Sequence, residues 1–246
     1  MIGLEQVSFG YGENQETLSQ VSAAIARGEC VLLCGASGCG KTTVTKLING
    51  LIPAFTPGCR LEGRVMVDGL APQETPMYEL AQRVGSVFQN PKSQFFNLDT
   101  DSELAFGLEN KGRPPEEIRR RVEQAAETLH LQELRGKNIF SLSGGQKQLL
   151  AFGSVYAMGP EIYVLDEPTA NLDQEAVARL HDQVAALKRQ GCSNRGSGAP
   201  AVLSHPISID RAVSICGSWG DGARLHRGAV SAACPTGNGK SWGCAP

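Results

Sequence analysis

The stretch GASGCGKT, Gly35 to Thr42, decides how the rest of the chain is interpreted. It fits the pattern G-x-x-x-x-G-K-[ST], in which glycines let backbone N–H groups surround phosphate oxygens at a helix start. Lys41 is expected to reach the β- and γ-phosphates, and the Thr42 hydroxyl to ligate Mg²⁺. An apolar run, CVLLCG, precedes the loop, and KTTVTKLINGLI follows it at helical spacing. This strand-to-helix context favours a nucleoside triphosphate site over an ordinary glycine-rich turn. The expected cradle consists of Gly35, Ala36, Ser37, Gly38, Cys39, Gly40, Lys41, Thr42 and Thr43.

Composition indicates a globular protein of little net charge. Of 246 residues, 41% are hydrophobic and 20% charged, so the chain can bury a core, and the formal net charge is -2. This balance offers no basic face for a phosphate backbone, so no nucleic acid is expected as a partner. The start, MIGLEQVSFGYG, lacks the basic and apolar regions of a secretion signal, and a cytosolic compartment is expected. The eight cysteines contain no C-x-x-C pair and are interpreted as free thiols.

Two carboxylates follow a second apolar run, in EIYVLDEP. A buried strand that delivers Asp166 beside the phosphate loop would hold Mg²⁺, and the adjacent Glu167 could polarise an attacking water. Taken alone, an Asp-Glu pair at a strand end is more often a solvated strand terminus. The presence of the phosphate loop in the same chain favours the functional interpretation.

A further glycine-rich motif is LSGGQ, Leu142 to Gln146. Ser143 and the amides of Gly144 and Gly145 form a potential anion nest at the start of a helix. The alternative is that the serine is only a helix cap.

The three motifs in this order closely resemble an ATP-binding cassette (ABC) ATPase, and the resemblance covers Met1 to about Gln190. It implies an α/β P-loop NTPase fold with a mixed sheet core and an inserted helical subdomain at about residues 90–150. It also implies ATP and Mg²⁺ as cofactors. The function implied is ATP hydrolysis coupled to transport.

The resemblance assigns further roles by position. Tyr11 would stack on adenine, Gln89 would sense Mg²⁺ and water and couple to membrane subunits, and Asp173 would lie in a loop that crosses to a second cassette. Ser143 to Gln146 would close on the γ-phosphate held by that cassette, so that two ATP molecules lie between the two chains. Two alternatives remain open: Tyr11 as a packed aromatic and Asp173 as a helix N-cap.

A narrower resemblance lies in VFQNPKSQFFNLDT, Val87 to Thr100, which is similar to the energy-coupling factor branch of importers for vitamins or metal ions. It implies a transmembrane coupling subunit and a substrate-binding membrane protein as partners, with the chain peripheral at the cytoplasmic face of the membrane. The second cassette could be identical or different. The alternatives are a soluble ABC protein unconnected to transport, and a nucleotide-binding remnant with impaired hydrolysis.

Periodicity predicts several elements outside the motifs. Leu4 to Tyr11 alternates as a strand does. A helix between Arg113 and Leu134 is predicted to bury the stripe Ile118, Val122, Ala125 and Leu129. A later helix is predicted to end at Gly191 and to bury Val177, Leu180, Val184 and Leu187.

The composition changes after residue 190. Residues 191–246 contain four of the eight cysteines, both tryptophans and no glutamate. The family resemblance implies a strand ending in a histidine near Ala199, but the next histidine, His205, follows six residues later. In a shifted reading frame, the codons of Gly198 to His205 permit Glu-His-Arg-Leu-Tyr-Tyr-Leu, a segment similar to the expected one. The hypothesis is therefore a degenerate or frameshifted tail over residues 191–246, and the alternative is a natural Gly/Ser-rich disordered tail.

Overall fold

One mixed sheet organises the computed structural model, which describes residues 1–12, 15–169, 172–193, 201–203, 211–218 and 221–226. Its strands are β1 (Ile2–Gly12), β2 (Gln15–Ile25), β3 (Cys30–Cys34), β4 (Arg60–Val67), β5 (Val84–Val87), β6 (Ile162–Leu165), β7 (Ala201–Leu203), β8 (Arg211–Ser218) and β9 (Asp221–His226). The helices are α1 (Lys41–Ile48), α2 (Leu51–Ala54), α3 (Met77–Arg83), α4 (Thr100–Asn110), α5 (Pro115–Thr128), α6 (Gly144–Met158) and α7 (Gln174–Ser193). Short 3₁₀ turns lie at Pro91–Ser93, Gln132–Leu134 and Ile139–Ser141.

The sheet has two parts with different pairing. Its order is β4-β1-β2-β9-β8-β3-β7-β6-β5. The strand β1 pairs antiparallel with β2 and β4, whereas β3, β7, β6 and β5 run parallel. This mixed sheet confirms the predicted fold class. Because parallel strands end at one edge, the segments that follow β3, β5 and β6 meet there.

Side-chain alternation on the short central strands explains why helices cover both faces of the sheet. On β6, Ile162 and Val164 belong to one core cluster together with the α1 residues Val44, Leu47 and Ile48. The alternate residues of the same strand, Tyr163 and Leu165, belong to the other cluster, which includes residues of α6 and α7. A strand buried on both faces reads as a continuous apolar run, as IYVL does.

An ion cluster connects the antiparallel strands to the parallel core. Asp68, in the turn after β4, accepts hydrogen bonds from Arg27 at 2.7 Å and from Arg83 at 2.9 Å. Arg83 also donates to Glu161, the residue before β6, at 2.8 Å. The hydrogen bond from the Arg27 guanidinium lowers the pKa of Asp68 to about 2. The carboxylate therefore stays ionised wherever the protein is folded in ordinary buffers.

Helices α4, α5 and α6 come between β5 and β6 in the chain. Of the stripe predicted on α5, Val122, Ala125 and Leu129 are buried and Ile118 is partly buried, so that prediction is confirmed. The helix begins at Pro115 with two glutamates in its first turn, as its sequence indicates.

The last helix is longer than predicted. Of the predicted stripe, Leu180 and Val184 are buried and Val177 is partly buried, whereas the side chain of Leu187 lies outside the described part of the structure. The helix α7 continues to Ser193, so the end predicted at Gly191 is wrong by two residues. After it, β7 lies between β3 and β6 and is parallel to both. Ala199 and His205 lie outside the described residues, so the predicted histidine position, the domain boundary near residue 190 and the frameshift hypothesis stay predictions. Over the described ranges, no helix is both long and apolar enough to cross a membrane.

Candidate nucleotide site

The phosphate loop follows β3 and turns into α1 through glycines with left-handed backbone. Gly38 has φ 81° and Gly40 has φ 94°, a region that favours glycine. At Gly40 there is also no room for a side chain, because a Cβ atom would lie 2.6 Å from Leu18 Cδ2. Gly35 to Gly38 are exposed, whereas Cys39 is buried in the core beside α1, so Cys39 can contribute only its backbone to a ligand.

The lysine of the loop folds back across it. Lys41 Nζ donates to the carbonyl oxygens of Gly35 and Ala36, at 3.1 Å each. The ammonium thus lies at the mouth of the nest of N–H groups, where phosphate oxygens are expected. A polyanion can replace the two carbonyls as the partner of this cation.

A hydroxyl and a carboxylate meet across the sheet edge. Thr42 Oγ1 donates to Asp166 Oδ1 at 3.1 Å, although the two residues are 124 positions apart. Burial raises the pKa of Asp166, and the charge of Glu167 raises it further, against the lowering effect of the Thr42 hydrogen bond. A partly buried carboxylate that lacks full compensation is a favourable ligand for a cation. Hard oxygen donors suit Mg²⁺, so the residues present fit this metal.

The second carboxylate is oriented by an amide. Gln89 Nε2 donates to Glu167 Oε2 at 3.2 Å. Glu167 has φ 44°, an unfavourable conformation for a residue with a side chain, and such strain is concentrated at functional sites. The structure therefore brings Lys41, Thr42, Asp166, Glu167 and Gln89 to one edge of the sheet, as the sequence predicts.

Two glutamines that the sequence did not single out brace the segment that carries Gln89. The Gln94 side chain accepts from the Phe88 N–H at 2.9 Å and donates to the Ser86 carbonyl at 2.9 Å. Gln148, on α6, donates to the Phe88 carbonyl at 3.3 Å. Gln94 bonds residues six and eight positions before it, whereas Gln148 is 60 positions from Phe88, and no sequence motif marks either glutamine.

Tyr11 lies beside the loop. Its ring packs edge-on against Phe9 with centroids 4.8 Å apart, and its hydroxyl lies 3.3 Å from Thr43 Oγ1. The ring remains 41% exposed. It is therefore a packed but partly exposed aromatic, and stacking on adenine stays a prediction.

The LSGGQ segment begins α6 with a capping box. The Ser143 hydroxyl accepts from the Gln146 N–H at 3.2 Å, and the Gln146 side chain accepts from the Ser143 N–H at 2.9 Å. Next to it, a Cβ atom on Gly145 would lie 2.7 Å from Ala176 Cβ, so this helix start packs tightly on the start of α7. In the single chain, Ser143 therefore acts as a helix cap, so the helix-cap alternative is confirmed.

Asp173 likewise caps a helix. Its Oδ1 accepts from the Ala176 N–H at 2.8 Å, so the N-cap alternative is confirmed. The structure thus packs Gly145, at the start of α6, on Ala176 of α7, the helix that Asp173 caps. The role of Ser143 to Gln146 and of Asp173 toward a second cassette stays a prediction.

Comparison with known proteins agrees with this geometry. Residues 18–170 match the family described as ABC transporter. The chain belongs to this family. A Treponema denticola protein that carries the name ABC transporter ATP-binding protein is 51% identical over 192 residues, which make up 78% of this chain and 39% of that protein. The first six curated relatives are matched over only 31% to 39% of their own length.

Solved ABC cassettes share the fold. CbiO1 from Clostridium perfringens, described as part of the ABC transporter complex CbiONQ, aligns with a TM-score of 0.75 at 25% identity over 92% of this chain and 86% of that chain. The bacterial cassette MJ0796, solved as a dimer, aligns with a TM-score of 0.71 at 25% identity over 87% and 94%. The ABC cassette fold predicted from the motifs is thereby confirmed.

Proposed function

We propose that the chain is the ATP-binding and hydrolysing cassette of an ABC importer of the energy-coupling factor type. The observation that carries the proposal is the juxtaposition of Thr42 with Asp166 and of Gln89 with Glu167 at one sheet edge. Phosphoryl transfer needs little covalent chemistry from the protein, and positioning with electrostatic stabilisation accounts for most of the catalysis. This edge offers both.

The residues have separate tasks in this mechanism. Bound Mg²⁺-ATP supplies the transferable γ-phosphoryl group and the positive charge that neutralises its oxygens. Lys41 would exchange the carbonyls of Gly35 and Ala36 for the phosphates, and Thr42 and Asp166 would hold the metal. Glu167 accepts a proton from the attacking water, and Gln89 fixes its carboxylate by the hydrogen bond already present.

The second cassette completes the site in this proposal. Ser143 and the amides of Gly144 and Gly145 lie at the N-terminus of a 15-residue helix, where the dipole and the free N–H groups favour an anion. In the free chain they cap α6. The relevant anion is the γ-phosphate bound by the other cassette, and the dimeric MJ0796 structure supports such an assembly.

An exposed apolar surface supports a membrane partner. Phe96, Leu98 and Phe140 are 73%, 66% and 75% exposed, and we call them the subdomain apolar surface. The segments that carry Leu98 and Phe140 are held together because the Ile139 N–H donates to the Leu98 carbonyl at 2.8 Å, next to an antiparallel bridge between Asp99 and Asn138, and Phe96 lies two residues before Leu98. Large apolar side chains exposed together are typical of interaction sites.

The partner proposed for this surface is the transmembrane coupling subunit, which in turn holds a substrate-binding membrane protein for a vitamin or metal ion. The surface begins seven residues after Gln89 in the same segment, so a partner bound there is connected to the catalytic edge. The description of CbiO1 as part of a CbiONQ complex supports this assembly. The cassette would then lie peripherally at the cytoplasmic face of the membrane.

One observation favours a second candidate, a nucleotide-binding remnant with impaired hydrolysis. The sequence has no histidine near position 199, where the family resemblance implies one, whereas all residues of the phosphate loop are present. Such a chain would bind ATP and release phosphate slowly.

An ATPase assay separates the two candidates. Phosphate release by the purified chain is compared with that of Glu167→Gln. Glu133→Gln serves as a matched control, because Glu133 is exposed and belongs to the turn Gln132–Leu134, which carries none of the site residues. The cassette proposal expects a loss of about 100-fold in Glu167→Gln, with ATP affinity retained and Glu133→Gln unaffected. Equal slow rates for all three chains with intact ATP binding would establish the remnant, and absence of ATP binding would refute both.

Membrane association is tested separately. The tagged chain is expressed in its own host, and its recovery in the membrane fraction is compared with that of a Phe96→Ser, Leu98→Ser, Phe140→Ser variant. The proposal expects wild-type chain to co-purify with integral membrane proteins and the variant to stay in the supernatant. Equal distribution of both chains would contradict the docking role.

A further inference from the structure

Lys147 is a buried cation without a carboxylate partner. The residue is 9% exposed, and its Nζ donates to the Leu142 carbonyl at 2.8 Å and to the Phe140 carbonyl at 3.4 Å. Within the described part of the chain, no Asp or Glu oxygen lies within 4.0 Å of it. A buried ammonium is tolerated only where hydrogen bonds compensate its lost hydration. The two carbonyls provide that compensation and are in turn held in place.

The carbonyls belong to the turn that carries part of the subdomain apolar surface. In this turn, the Phe140 N–H donates to the Asn138 side chain at 2.8 Å, and the Ser141 hydroxyl donates to the Asn138 carbonyl at 2.7 Å. The turn is joined to the Leu98 segment by the backbone bond from Ile139. These hydrogen bonds connect Phe140 and Leu98 to the carbonyls that Lys147 binds.

Lys147 itself belongs to the first turns of α6. Its backbone N–H donates to the Ser143 carbonyl at 2.9 Å, so the lysine and the capping serine are fixed to each other by the helix. Through one side chain, the turn that precedes LSGGQ is attached to the helix that follows it. Ser143 and the amides of Gly144 and Gly145 lie in the chain between this turn and Lys147.

We propose that Lys147 is a positioning residue that fixes the LSGGQ turn relative to the subdomain apolar surface. The inference rests on the proposed function, because the turn acts on ATP only when two cassettes meet. The ammonium keeps Ser143 and the glycine amides in the orientation that the opposing γ-phosphate requires. It also transmits movement of the docked partner to that turn.

Dimer formation by the chain tests this role, because it depends on the LSGGQ turn whereas ATP binding to one chain does not. Lys147→Met and Lys147→Arg are made in the Glu167→Gln background, which retains bound ATP. The matched control is Lys137→Met, the same substitution at an exposed lysine. ATP affinity is measured by fluorescent-nucleotide titration, and ATP-dependent dimerisation by sedimentation velocity.

Lys147→Met is expected to leave ATP affinity within about threefold and to weaken dimerisation by about tenfold, the effect of losing a charged hydrogen bond. Lys147→Arg should recover most of the dimer, and Lys137→Met should behave as the parent. If Lys147→Met does not fold, Lys147→Gln replaces it, with an intermediate weakening expected. Unchanged dimerisation in the neutral variant, or equal weakening by Lys137→Met, overturns the inference. A parent that binds no ATP or does not dimerise refutes the proposed function instead.

Discussion

Removal of the Glu103 carboxylate should destabilise the helical part of the chain strongly. Glu103 lies in α4 and is 3% exposed. Its Oε2 accepts three hydrogen bonds, from the Phe96 N–H at 3.1 Å, from the Asn97 N–H at 3.0 Å and from Asn97 Nδ2 at 3.2 Å. One oxygen thus organises the turn that presents Phe96 to the proposed partner.

The magnitude follows from the donors that would be left without an acceptor. In Glu103→Ala, two partly buried backbone N–H groups lose their partner, at about 1–3 kcal/mol each, with water offsetting some of the loss. We therefore expect the free energy of unfolding to fall by about 3 kcal/mol, and the Tm by about 6 to 12 °C for a chain of this size. Glu103→Gln should lower the free energy of unfolding by about half as much, because its amide oxygen still accepts hydrogen bonds but carries no charge.

Urea unfolding followed by circular dichroism measures these differences. Glu109→Ala is the control, since Glu109 is an exposed glutamate near the end of the same helix and should change stability by less than about 0.5 kcal/mol. The reasoning is refuted if Glu103→Ala unfolds at the same urea concentration as the control. A similar loss in both variants would show that the effect comes from α4 as a whole.

Three further results are expected. Gly145→Ala should lower the free energy of unfolding by about 1–3 kcal/mol in the same assay, because the new Cβ atom would lie 2.7 Å from Ala176 Cβ. Adding Ala176→Gly should restore part of this loss, and wild-type stability of Gly145→Ala would contradict the prediction. Gly40→Ala should weaken ATP binding at least about tenfold in a nucleotide titration, whereas Gly69→Ala, with a similar φ of 84° but open space around it, should not; equal effects would mean that backbone strain alone is responsible. Asp68→Asn should lower the free energy of unfolding at pH 7. Because the pKa of Asp68 is lowered to about 2, the difference in stability between wild type and variant should disappear as the pH falls from about 4 toward 2. A difference that does not depend on pH would exclude the carboxylate charge as its cause.

The sequence predicted the parts of the site that depend on local pattern. A single stretch of chain specifies each of these features. The phosphate loop and the carboxylates after β6 are motifs next to an apolar run, and the buried stripe of α5 is a helical periodicity. Parallel pairing on the two sides of β7 then brings Thr42 to Asp166, because both residues follow strands of one orientation.

Contacts made by single polar side chains were not predictable in this way. Gln94, Glu103 and Lys147 bond backbone groups five to eight residues before them, and Gln148 bonds one that is 60 residues before it. All four are ordinary polar residues in sequence, and no motif marks their partners. The end of α7 was predicted too early because a glycine costs a helix only about 1 kcal/mol, which packing readily offsets.

The strand β5 shows a different limit. Its sequence, VGSV, has neither clear alternation nor high strand propensity. Gly85 is required there because a Cβ atom would lie 2.4 Å from Val155 of α6 and 2.7 Å from Pro160. The residue that weakens the local signal is the one that allows the helix to approach the sheet.

The position of β7 has a consequence for biosynthesis. Because β7 separates β3 from β6, the strand that carries the phosphate loop and the strand that carries Asp166 are neighbours only through a segment translated after both. While residues 201–203 are still inside the ribosome, β3 and β6 both lack β7 as a partner, although β6 can already pair with β5. The nascent chain can therefore form its antiparallel β1–β2–β4 arm early, whereas the sheet edge proposed to bind the nucleotide is completed only late in synthesis.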